Sequence, residues 1–167
     1  MSKLINWKSD WFSNNFHLFV DGIQKGAITF GTWRSNAESR FEDQNYQFVN
    51  KGFWQSSTRI TDKKTNEVLA VITYDSWKSK AVISLKTGEQ YEWKSKGLWK
   101  SQWTVSNYKD EHIVYTSGSN SGSIASDTDH KLLIIAGLFI KQVYNKRTIL
   151  MMACIVPVIT TSTLHHH

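Results

Sequence analysis

Trp-Lys-Ser occurs four times, at Trp7, Trp77, Trp93 and Trp99, and Lys80 and Lys96 extend two of the copies. Side chains alternate along an extended chain, so Tyr91 and Trp93 share one face while Glu92, Lys94 and Lys96 share the other. Lys78, Lys80, Lys94, Lys96 and Lys100 thereby form a candidate anion-binding set. Ammonium groups beside indole rings suit a phosphate-bearing lipid headgroup, because tryptophan anchors at the membrane interface and lysine is drawn to anionic lipid. The same residues also describe a barrel filled by tryptophan and solvated, or guarded at its strand edges, by lysine. Basic residues interleaved with aromatics can hold nucleic acid as well. No RNP-like segment accompanies them, so that partner is disfavoured.

Residue patterns for catalysis are missing. Gly118-Ser-Asn-Ser-Gly122 has Asn120 where a nucleophile elbow needs serine. There is no phosphate loop, dinucleotide fingerprint or His-Glu-x-x-His. His17, His112 and His130 are scattered without ligand spacing, and Cys154 stands alone in an apolar run. Asp127 and Asp129 precede an apolar segment as helix caps would, and Glu38, Glu42 and Asp43 read as a solvated strand end. The expectation is therefore a non-catalytic protein with no cofactor and no metal.

These candidates must be carried by a single domain of 167 residues, with a net charge of +6 and one proline. A lone cysteine permits no internal disulfide, and the N-terminus lacks the apolar core of a signal peptide, so an intracellular, cytoplasmic location is expected. His165–His167 reads as a tag remnant.

From Asn15 to about Ser126 short alternating runs recur between turn residues, and about ten candidate strands can be drawn. Phe16, Leu18 and Val20 share a face before Asp21-Gly22, then Ile28 and Phe30 share the next. Further strands are expected near Ala37–Phe41, Tyr46–Val49, Phe53–Thr61, Glu67–Tyr74, Ala81–Lys86, Gln90–Trp93, Gln102–Ser106 and His112–Thr116. Ser117–Ser123 reads as a polar loop or wide turn.

The run Leu132–Ile140 is apolar on every side, with acids before it and bases after it, which predicts a helix from about 129 to 145. It is too short to span a bilayer, so core burial is the expected solution. A second apolar run, Ile149–Ile159, is compatible with core, partner contact or a C-terminal anchor. The pattern assigns no structure to residues 146–164.

The two hairpins Asp21-Gly-Ile-Gln-Lys-Gly-Ala-Ile28 and Asp62-Lys-Lys-Thr-Asn-Glu-Val-Leu-Ala-Val-Ile72, followed by the terminal segment Lys131–Tyr144, resemble the tubby-like superfamily. That group includes the LURP-one-related proteins and the phospholipid scramblases. The resemblance implies a mainly β fold, a closed antiparallel barrel of about 10–12 strands around a hydrophobic C-terminal helix, spanning 1–164 as one domain. It also implies an anionic phospholipid or membrane-surface partner and a scaffold role near the membrane. The chain lacks the scramblase cysteine cluster, and none of its positions match the family's phosphoinositide-binding residues. Two alternatives stand beside this function: a protein-interaction module with no small ligand, and a tail-anchored protein with a cytoplasmic barrel.

Overall fold

A computed structural model describes the backbone of residues 3–13, 15–31, 36–52, 56–75, 78–96, 101–109 and 111–163, with side chains as far as Ile149. Twelve strands form a closed barrel: β1 (Lys3–Ser9), β2 (Phe16–Val20), β3 (Ile23–Phe30), β4 (Ala37–Phe41), β5 (Gln44–Lys51), β6 (Ser57–Asp62), β7 (Val68–Asp75), β8 (Lys80–Leu85), β9 (Gln90–Lys96), β10 (Gln102–Ser106), β11 (His112–Ser117) and β12 (Ser121–Ser126). Each pairs antiparallel with its sequence neighbours, and β1 closes the ring on β12 through Lys3↔Ser126 to Lys8↔Ser121.

Local chemistry explains the meander. Asp21 and Gly22 both take positive φ, at 51° and 76°, which is the two-residue type I′ geometry that matches strand twist, and Val20 pairs with Ile23 across it. Along β8, Ala81, Ile83 and Leu85 are buried while Val82 is exposed, the alternation of a sheet with one wet face.

Barrel diameter grows with strand number, and about eight strands already leave an interior that side chains can fill. Twelve leave more, and the C-terminal helix α1 (Lys131–Thr163) occupies it. Leu132–Ala136, Leu138–Ile140 and Val143 are buried among Ile5, Leu18, Phe41, Phe48, Ile60, Ile72, Ile83 and Ile124. Phe139 stacks on Phe48 at 4.4 Å and on Phe30 at 5.6 Å between ring centroids.

Gly137 fixes the helix's position. Its carbonyl accepts from the indole nitrogens of Trp93 and Trp103, each at 3.1 Å, so two strands hold one helical residue. The Tyr115 hydroxyl reaches the carbonyls of Leu133 at 3.1 Å and Ile134 at 3.0 Å. A β-carbon at position 137 would stand 2.2 Å from that hydroxyl oxygen, so this close approach requires glycine.

The structure corrects several expectations. β1 lies before the expected meander, and β12 forms within and beyond the tract read as a loop. β6 begins at Ser57 rather than Phe53, and residues 53–55 lie outside the described residues. The helix starts at Lys131 and runs unbroken to Thr163, so the segment without an assigned structure is helical through most of its length. Asp127 does not cap that helix: its Oδ1 accepts from the His112 backbone N–H at 2.7 Å and so ties down the start of β11.

Candidate functional site

The two ends of the barrel differ in chemistry. Where α1 begins, Lys131 bonds Asp43 and lies 2.9 Å from Glu42, which also takes Lys3 at 2.9 Å. The Lys131 ammonium, then the Gln44 amide, hold the Asp43 carboxyl down at about 2, and Lys3 and Lys131 lower Glu42. The connections at this end also contain Asp21, Glu67, Glu89 and Glu111, so it is rich in carboxylates.

The opposite end, where the helix leaves the barrel, is basic and aromatic. Arg147 lies over Tyr74 at 4.6 Å, Lys146 over Phe30 at 4.9 Å and Lys141 over Trp103 at 5.2 Å. Burial lowers the Lys146 ammonium from its ordinary value. The Tyr144 hydroxyl donates to the carbonyls of Asp75 at 2.9 Å and Lys80 at 2.5 Å, closing the β7–β8 connection onto the helix, and burial pushes its phenol up to about 12. Beside this collar, Trp11 is 78% and Phe12 100% exposed in the β1–β2 connection.

Most of the lysine set gathers at this basic end. Lys80 opens β8 and Lys94 pairs with it across the strands; Lys96 closes β9 opposite Gln102, and Lys78 lies in the β7–β8 connection. Lys94 is tied to Glu92, which raises its pKa. Lys100 lies outside the described residues. Trp7, Trp93 and Trp103 are buried in the barrel, as the filling alternative expected, whereas Trp11 is exposed.

Strand order reveals a pattern missed in the sequence reading. Trp-x-Ser recurs as Trp11–Ser13, Trp33–Ser35, Trp54–Ser56, Trp77–Ser79 and Trp99–Ser101. In the sequence each triplet falls between a different pair of strands, β1 and β2, β3 and β4, β5 and β6, β7 and β8, and β9 and β10. Trp33, Trp54, Trp77 and Trp99 themselves lie outside the described residues. A scan spaced at one hairpin per repeat would have found the series; Trp-Lys-Ser mixed two triplets that fall between strands in the sequence with two that belong to β1 and β9.

Beyond the collar the backbone stays helical to Thr163. Ile149 is 65% exposed, and the segment from Thr148 to Thr163 extends roughly 24 Å at about 1.5 Å per residue. Residues 149–159 are apolar apart from Pro157. Among the described residues no helix is long and apolar enough to cross a membrane, and no group of three His, Cys, Asp or Glu side chains is placed to hold a metal. No family model, curated protein or solved structure matches the chain.

Proposed function

We propose that this protein is a non-catalytic membrane-docking domain whose helix-exit end faces a lipid surface. The carrying observation is the continuation of α1 out of the barrel through a collar of Lys141, Lys146 and Arg147, beside exposed Trp11 and Phe12. Tryptophan favours the headgroup level, lysine and arginine favour anionic lipid, and an apolar segment favours hydrocarbon. All three lie at the helix-exit end of the barrel. The basic near end would orient the molecule before contact.

The run 149–159 carries no charged residue, unlike the Lys- and Arg-rich amphipathic helix that lies flat in the interface. At about 1.5 Å per residue that run spans roughly 16 Å, well short of the ~30 Å hydrocarbon core, so it enters the bilayer without crossing it. A cytoplasmic, membrane-associated location and membership of the tubby-like superfamily belong to the same proposal. Superfamily membership is supported by a closed antiparallel barrel threaded by its C-terminal helix.

Sedimentation of the full chain with vesicles of mixed phosphatidylcholine and phosphatidylserine tests the function. Bound protein should pellet, its tryptophan emission should shift blue, and Trp11→Ala with Phe12→Ala or Ile155→Lys alone should cut binding at least tenfold. Failure of the native chain to pellet at low salt refutes the proposal. A stable dimer in lipid-free buffer that Ile155→Lys dissociates would instead assign the segment to self-association.

A further inference from the structure

Between the β1–β2 connection, the β11–β12 connection and the helix lies a partly enclosed cavity of about 170 Å³. It is small for a drug-sized ligand and suited to one compact polar group. Trp7 lines it while only 4% exposed, and its indole nitrogen has no hydrogen-bond partner among the described residues. A buried donor left unbonded is costly and uncommon, which makes it a pointer to a ligand atom. Gln142 lines the same cavity while 5% exposed, and Lys141 and Asn145 reach it from the same helix.

The wall also holds one carboxylate, Asp10, which Ser13 at 2.7 Å and then His17 at 3.1 Å keep ionised below its usual range. One ammonium and one carboxylate make the cavity neutral overall. It therefore matches a ligand carrying both charges better than a bare anion. Trp11 and Phe16 add aromatic surface of the kind that attracts ammonium groups.

We infer that this cavity binds the phosphoammonium headgroup of a zwitterionic phospholipid. Trp7, Lys141 and Gln142 receive the phosphate, and Asp10 with the aromatic wall receives the ammonium. The inference rests on the membrane orientation proposed above, which brings the cavity's end of the barrel to headgroup depth. It adds recognition of one lipid class to a surface that otherwise reads only apolarity and charge.

The test titrates soluble phosphocholine into the full chain while following tryptophan indole N–H resonances by NMR. The Trp7 resonance should shift saturably. Lys141→Met, checked for an unchanged thermal midpoint, should weaken the response at least tenfold. Asp10→Asn should weaken the phosphocholine response while sparing any response to inorganic phosphate. No shift at Trp7 up to high millimolar phosphocholine overturns the inference, and an equal response to inorganic phosphate overturns the zwitterionic assignment.

Parallel sedimentation with pure phosphatidylcholine vesicles separates the two proposals. Vesicle binding that Gln142→Ala leaves intact, with a silent Trp7, sinks the pocket and keeps the membrane reading. Phosphocholine binding without any vesicle binding sinks the membrane reading and the lipid source of the ligand together.

Discussion

Replacing Gly137 by alanine tests how tightly the barrel grips its helix. In an exposed helix the change would stabilise by about 1 kcal/mol, because alanine has the better helix propensity. Here the added methyl would lie 2.2 Å from the Tyr115 hydroxyl oxygen and 2.3 Å from its ring carbon Cζ, far inside contact distance. Tyr115 has little room to retreat, since it is fully buried and stacks on Trp103 at 5.2 Å. Overpacking of such sites typically costs about 1–3 kcal/mol or more. With both hydrogen bonds to Gly137 also disturbed, a net loss of about 2 kcal/mol is expected, lowering the thermal midpoint by about 4–8 °C. Urea denaturation followed by far-ultraviolet circular dichroism measures it. Combining Gly137→Ala with Tyr115→Phe removes the nearest clashing atom, so the double variant should lose less than the sum of the singles. A Gly137→Ala protein as stable as the native chain, with additive energies, would refute the close contact.

Three further outcomes follow from the same contacts. Trp103→Phe removes one of the two indole bonds to Gly137 and leaves a void, so it should cost about 1–3 kcal/mol in urea unfolding. Asp43 and Glu42 have depressed folded pKa values, so their contribution is present above the ordinary carboxylate range and fades as pH falls towards about 2. Lys131→Met should therefore flatten part of the stability decline between about pH 4 and pH 2, and an unchanged slope counts against the cluster. Lys80 faces Lys94 across β9 and Asp75 across β7, so Lys80→Glu exchanges one like-charge pair for another and should leave the thermal midpoint nearly unchanged while weakening anionic-vesicle binding.

Period-two alternation made the interior strands legible. It located β4 and β10 to the residue, because Ala37, Ser39 and Phe41 are buried between exposed neighbours in one and buried Trp103 and Val105 mark the other. It missed β12, whose Ser121–Ser123 lies in the tract read as a loop, because Gly122 is demanded by the neighbouring strands. A β-carbon there would lie 1.8 Å from the Thr116 carbonyl oxygen and 2.8 Å from the Trp7 ring. The helix length was hidden by Lys141, Lys146 and Arg147, whose charges read as a helix C-terminus although the backbone stays helical past them. Lysines were found by type, but their shared end of the barrel depends on strand direction. The cavity was out of reach: Trp7, Asn120 and Lys141 are brought together by the β1–β12 seam and by threading of the helix.

The seam also sets an order of assembly. Because β1 pairs with β12, the ring cannot close until nearly all of the sheet has been made, and the helix that fills it emerges from the ribosome after every one of these strands. Such non-local closure slows folding, and the nascent sheet meanwhile displays two open edges and an unfilled apolar lining. Synthesis that stalls before Lys131 would release a chain with every strand and no core plug, a natural client for chaperones and a strong candidate for aggregation. A segment translated after all twelve strands is thus the one that fills the ring β1 closes.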